Sequence, residues 1–384
     1  MTARPMTRHA RRRGTLAAAL AVGLLAPAVV EAGVADAAPA AGTVYVNRDL
    51  PKNRLVPGAR SGDVFTYRTT GSDGKPQMSS ATVQVPAGRV PAGGWPTVVW
   101  SHGTRGIADR CAPSNRPLPA DTEQIRRWIS RGYAVLSPDL AGLGTPGTPM
   151  SFDVNSSVRS IVDGVRASRD VTPGLSRKWA VVGHAYGSPA SITLARTATG
   201  MQGPGLDYRG SAAESIPAES PSILSNLGPS TDVLPRAATL EIVYVLAALR
   251  LARPAVGLGS YLTDAGVRWL DRASTACADE LAPQVANLKL GTLFTKPLGG
   301  NRAAMDVLST ALTMPIRGFT RPLLLGQALI DDNVSVPLAL RYLNDAHRAD
   351  FRAIPHTYLT VDPRQAEMMA DNDIRQFIGR LLGR

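Results

Sequence analysis

Cysteine is nearly absent from this chain: Cys111 and Cys277 are the two in 384 residues. That count excludes a scaffold held together by many disulfides and leaves at most one bridge. Lysine is scarce as well, with five among 42 basic residues, so the formal net charge of +12 is mainly an arginine charge. It is also scattered. No basic run is interleaved with aromatics and no nucleic-acid motif occurs, so nucleic acid is not an expected partner. Long apolar runs are missing after the N-terminus. Residues 16–30 are too short for a comfortable membrane span and nothing later approaches the length, so no integral span is expected after processing. No motif calls for a metal or a cofactor.

The N-terminus has the layout of an export signal. Arg4, Arg8 and Arg11, Arg12 and Arg13 form a basic segment, residues 16–30 an apolar one, and Ala35-Asp36-Ala37 a small-x-small cleavage site before Ala38. A signal peptide over residues 1–37 implies a secreted or cell-envelope protein. Arg12-Arg13 loosely resembles a twin-arginine signal, which leaves the route open; an uncleaved anchor is the alternative. About 347 residues remain, carrying +9, enough for one large α/β domain with an insertion or for two domains. In an exported chain the two cysteines most simply form one long-range bridge, the alternative being two buried thiols.

Residues 63–85 alternate apolar and polar around Gly71-Ser72-Asp73-Gly74, a hairpin signal. Residues 96–100, 133–136, 178–182, 208–216 and 321–329 are strand-like; 122–131, 157–169, 190–198 and 371–382 are helix-like. Their alternation argues for a mostly parallel sheet with helices on both faces. It is interrupted after Ile216 by a proline- and serine-rich stretch and then by helical patterns at 237–253 and 260–281. Such an insert is expected to lie as a cap over the C-terminal ends of the strands, where open α/β sheets bind ligands. The expected organisation is a core of residues 38–216 and 313–384 with a cap at 217–312.

The segment Val181-Val182-Gly183-His184-Ala185-Tyr186-Gly187 has the shape of a G-x-S-x-G nucleophile elbow, with Ala185 at the serine position. The glycines, Gly183 and Gly187, let a strand turn sharply into a helix and hold the central residue at the top of the sheet. A methyl group cannot attack a carbonyl, so serine-type covalent catalysis is excluded at this position. Ser188 lies about one helical turn further on and is poorly presented as a substitute.

Three further blocks carry a resemblance. Residues 98–114, VVWSHGTRGIADRCAPS, closely resemble the oxyanion segment of secreted bacterial lipases, the secretory lipase branch of the α/β-hydrolases. Residues 132–146, GYAVLSPDLAGLGTP, and 163–167, DGVRA, resemble two other blocks of that family in order and spacing, and the likeness runs over essentially the whole mature chain. It implies an α/β-hydrolase fold with a helical lid, a Ser, Asp, His triad, an oxyanion hole and fatty-acid esters as substrates. Carried over by position, the acid falls at Asp331 or its neighbour Asp332, and the base at His356, which stands about three residues early. Either the loop is shortened and His356 still points inward, or the base is lost. Oxyanion donors would be the Tyr186 amide and that of Thr104 or Arg105, with His102 organising the loop. His347 is expected on a solvated helix and His184 beside the turn, away from a substrate. The elbow departs further from the family, which usually has Gln at Tyr186, Gly at Ser188 and a small or polar residue at Pro189.

The sequence therefore reads as a catalytically silent member that retains binding of a lipid or ester ligand. The rivals are a working hydrolase with another nucleophile or an activated water, and a cell-envelope interaction protein with an unknown protein partner.

Overall fold

Strands that bury both faces read as continuous apolar runs whose alternate residues belong to different cores. In β4 (Trp95–Ser101) Val98 and Trp100 face one core and Val99 the other. In β6 (Leu175–His184) Ala180 and Val182 oppose Trp179 and Val181 in the same way. The computed structural model describes residues 40–147, 153–218, 220–332 and 334–383, all within one compact unit; the export signal expected at residues 1–37 lies outside them.

In chain order the sheet is made of β1 (Val44–Asp49), β2 (Ala59–Thr70), β3 (Pro76–Pro86), β4, β5 (Ala134–Pro138), β6, β7 (Asp207–Glu214), β8 (Leu323–Ala328) and β9 (Ala353–Tyr358). Their spatial order is β1-β2-β3-β5-β4-β6-β7-β8-β9. The first three strands and the β3–β5 pair are antiparallel and the rest parallel. The hairpin expected at residues 63–85 is the β2–β3 pair.

Helices cover both faces. On one lie α2 (Val154–Val171), capped by the Asp153 side chain, and α3 (Ser188–Met201), packing Val158, Ile161, Val162, Val165 and Leu194 on the sheet. On the other lie α1 (Pro119–Ile129) and the closing helix, α10 (Pro363–Leu382), with Trp128, Ile129, Phe377 and Ile378.

Between β7 and β8 the chain leaves the sheet for α4 (Ser220–Asn226), α5 (Arg236–Ala252), α6 (Asp264–Ala273), α7 (Ala278–Val285) and α8 (Arg302–Leu312); α9 (Val336–Ala349) follows β8. The five inserted helices share one apolar cluster that also takes Ile107 from the loop after β4, with Tyr186 packed against it. Each leucine fully buried there, such as Leu246, Leu270 and Leu281, contributes about 1.5–3 kcal/mol relative to exposure. The single helix expected over residues 260–281 is two. The Thr263 side chain caps α6 at its start, and the chain breaks at Ser274 before restarting at Cys277 with Glu280 accepting from the Cys277 amide. No single described helix is long and apolar enough to cross a membrane.

Cys111 and Cys277 form a disulfide between the segment after β4 and the α6–α7 junction. Around it Gly106 pairs with Cys277 and Arg110 reaches Glu280 at 2.8 Å, so the segment after β4 is fastened to the insertion.

Candidate functional site

β6 lies inside the sheet between β4 and β7 and runs directly into a tight turn at Ala185–Gly187, from which α3 starts. Ala185 has φ +48°, the left-handed region that side chains other than glycine rarely adopt. Both glycines are required by contact. A Cβ on Gly183 would sit 2.4 Å from the Gly187 carbonyl oxygen, and one on Gly187 only 1.9 Å from that of Ser101. Among the described residues two other non-glycines have positive φ, Leu140 and Ser215, and each lines one of two adjoining cavities that share Gly103 and Arg105. Strain of about 1–3 kcal/mol per residue therefore collects around one point, as it does at functional sites.

The loop after β4 closes against this turn. A Cβ on Gly103 would stand 3.7 Å from that of Ala185, in ordinary contact. His102 Nδ1 lies 2.7 Å from the Gly103 carbonyl; burial, then the Arg105 charge, lower its pKa to about 4, so it is a neutral organiser of the loop. Arg105, largely buried, folds back to an ion pair with the buried Asp121 of α1, and Asp121 also accepts from Trp100 Nε1 at 2.9 Å. Thr104, Arg105 and Tyr186 line an apolar cavity with Ile107, Leu140 and Leu143, roofed by Glu241, Tyr244 and Val245 of α5. Its volume is about 30 Å³, room for one water and far less than an acyl chain.

Ala185 itself lines neither this cavity nor the larger cleft next to it, which shares Gly103 and Arg105 with it. A cleft of about 510 Å³ lies at the C-terminal ends of β4, β6, β7, β8 and β9, lined by Trp100, His184, Glu214, Asp331, Asp332 and Tyr358, among others. Contrary to the sequence reading, His184 faces this cleft. It and Glu214 are register partners on β6 and β7, with Nδ1 and Oε1 3.1 Å apart, and its ring stacks on Trp100. Burial opposes its protonation, but the Glu214 hydrogen bond and charge, then the Asp331 charge, raise its pKa above the usual value. Sequence spacing did not single out Glu214. The parallel β6–β7 register is the signal that finds it, since it puts the last residues of both strands side by side.

The remaining expected residues divide. Asp331 follows β8, accepts from Gln327 Nε2 at 3.0 Å and lines the cleft with the more exposed Asp332. His356 lies inside β9 rather than on the loop after it. Its Nδ1 is 2.9 Å from Asp373 of α10, its side chain is half-exposed, and it is not among the cleft residues. A position three residues later is Leu359, 76% exposed. Ser188 is fully buried with Oγ within hydrogen-bond distance of the Gly183 and Glu214 carbonyls, so it is not presented to either cavity. His347 is exposed on α9.

The strand order and the left-handed turn between close-packed glycines make this chain an α/β-hydrolase by fold. Candida antarctica lipase A in its closed state superposes with a TM-score of 0.70 over 90% of this chain and 83% of its own, at 20% identity. The rice cell wall degrading esterase LipA of Xanthomonas oryzae gives 0.72 over 90% and 99%, at 19% identity. In sequence the chain is 27% identical over 346 residues, 85% of this chain and 72% of the other, to a Mycobacterium tuberculosis protein named a probable inactive lipase. No family model matches it.

Proposed function

We propose that this chain is an exported, non-catalytic relative of secreted lipases that binds an acyl or ester-bearing lipid beside the elbow without cleaving it. The observation that carries the reading is Ala185 at φ +48°: the nucleophile's backbone is kept and the hydroxyl is not. Two facts support it. The only imidazole on β9, His356, is turned to Asp373, and the Mycobacterium tuberculosis relative is itself named a probable inactive lipase. In this reading residues 217–312 are the cap, and α5 must shift to admit an acyl chain into the apolar cavity. Oxyanion donation by the amides of Tyr186 and of Thr104 or Arg105 survives the missing serine because backbone supplies it.

Losing a triad serine lowers turnover about a millionfold, while the oxyanion hole with binding retains roughly a thousandfold over water. Purified mature protein is therefore expected to cleave p-nitrophenyl esters and tributyrin at background rate and to escape phosphonate labelling. Ala185→Ser is expected to stay inert, because His356 does not face the elbow; ester turnover that His356→Ala abolishes would overturn that assignment. Displacement of a fluorescent fatty acid by medium-chain esters is expected, and its absence would sink the binding half of the reading. A second reading is favoured by the His184–Glu214 contact, since an imidazole oriented by a carboxylate is able to take a proton from water attacking a held ester. Robust turnover by the unmodified protein, lost in Glu214→Gln, would replace the first reading with this one.

A further inference from the structure

We infer that the corner of the sheet where β8 and β9 begin is a docking face for an anionic lipid surface. This goes beyond the acyl-binding reading, which concerns the opposite ends of the strands.

Arginine charge that is scattered in sequence gathers here in space. Arg317 and Arg321 precede β8, Arg348 ends α9 and Arg352 precedes β9. Arg196 of α3 reaches the same place, with its Nε 3.6 Å from where a Cβ on Gly318 would stand. The two turns are tied together: the amides of Gly318 and Phe319 donate to Asp350 Oδ2 at 3.0 and 2.9 Å, and the Leu323 amide donates to the Arg352 carbonyl at 2.9 Å. Nearby acids are already engaged, Asp350 by those amides and by Arg352, and Asp345 by Arg341. Arg196, Arg317 and Arg348 are exposed and make no ion pair among the described residues. The negative end of the α9 dipole accounts for a cation at Arg348. Arg317, Arg321 and Arg352 lie outside the helices, so no helix end gathers them.

Two apolar side chains decide what kind of anion the corner fits. Phe351 is 76% exposed, the most exposed aromatic among the described residues, and Ile316 is 41% exposed. Each is next to an arginine in the chain, and the Arg352 guanidinium lies 4.9 Å from the Phe351 ring centroid. A soluble anionic polymer would pair with the guanidinium groups and leave both apolar side chains in water. An anionic bilayer takes the charges at its headgroups and the apolar groups at the acyl boundary. At the far ends of the same strands Glu214, Asp331 and Asp332 line the cleft, which such a surface repels. Charge at the two ends of the sheet therefore sets one orientation, with the cleft turned away from the lipid.

The test is sedimentation of the purified mature protein with phosphatidylcholine vesicles, with and without one-third phosphatidylglycerol. Binding is expected only where phosphatidylglycerol is present, and more weakly as salt rises. The double variant Arg317→Glu, Arg348→Glu is expected to weaken it more than about tenfold, since each basic residue near such a surface is worth about fivefold. Phe351→Ser is expected to weaken it about tenfold. A control on the insertion, Arg236→Glu with Arg302→Glu, changes the net charge equally and is expected to leave binding in place; all three variants alter exposed side chains and should fold normally by circular dichroism. No binding to either vesicle, equal binding to both, or equal weakening by the control would each overturn the assignment. Phe351→Ser without effect would also overturn it, by making the corner a site for a soluble polyanion. Both vesicles carry the same acyl chains, so capture of a lipid by the apolar cavity would appear with both, and the two inferences fail separately.

Discussion

Beside Tyr186 the loop after β4 and α5 enclose about 30 Å³ of apolar space; beside His184 the ends of five strands and α10 leave about 510 Å³ lined by carboxylates. The turn between the two is fixed by backbone, since Gly183 and Gly187 tolerate no Cβ, a constraint that substitution at Ala185 leaves in place. The open side is where a hydrolase needs particular side chains, a hydroxyl and an imidazole facing an acid. In the proposed reading the acid falls at Asp331 or Asp332, the hydroxyl is missing at Ala185 and the β9 histidine is turned to Asp373. Side-chain chemistry is lost one residue at a time, whereas a backbone site is lost only if the fold changes.

The largest effect expected on this contrast comes from the disulfide. Replacing Cys111 and Cys277 by serine frees a loop of 166 residues, worth on the order of 5 kcal/mol in a chain-entropy account. Denaturant unfolding should show the loss. Dye binding should rise on the apolar side, because the bridge holds the segment after β4 to the insertion. An unchanged midpoint would mean that α5 and its cluster close that side unaided.

Asp121→Ala comes next. It leaves the buried Arg105 guanidinium without its partner and Trp100 Nε1 without its acceptor, for a loss of about 3–5 kcal/mol. Since Arg105 and Trp100 also line the cleft, both sides should loosen together in hydrogen exchange; loosening on one side only would show that the elbow separates them mechanically.

The smallest effect concerns His184 and acts on the open side alone. Its folded pKa is raised, so its contribution to stability is fully present below the ordinary histidine value near 6.5 and is lost as pH rises through the folded value. Imidazole resonances followed by NMR should titrate above that ordinary value, and Glu214→Gln should bring them down. A titration unmoved by Glu214→Gln would remove Glu214 as the cause.

How much of this could be read beforehand depends on how local the determinants are. The elbow, the strand before it and the helix after it are contiguous, and their glycines and apolar runs state the geometry directly. The hairpin was legible for the same reason. β1 was not, because an edge strand whose residues are mostly exposed has no apolar alternation to betray it. The division of residues 260–281 turned on the Thr263 cap and on the Cys277 restart, polar contacts that a wide apolar face conceals. The direction of His356 depends on Asp373 of α10, a contact that no spacing within β9 contains. Nor could the cleft be seen, since five separate strand ends build it.

The packing of Gly187 against the Ser101 carbonyl has a consequence for the history of such a chain. The joint between β6 and α3 is held by its neighbours, not by the residue at its apex, so the turn does not depend on whether a methyl or a hydroxymethyl stands there. Genetically, alanine and serine can be a single base apart, and the scaffold waits in the posture that a restored serine would need. In the proposed reading, the way back to an enzyme is therefore limited by the histidine on β9, which is turned to Asp373 and would need a strand end to be re-registered rather than one codon to be changed. Backbone superposition alone groups this chain with lipases and esterases whatever residue stands at the apex, because the part that superposes is the frame and not the side chain it presents.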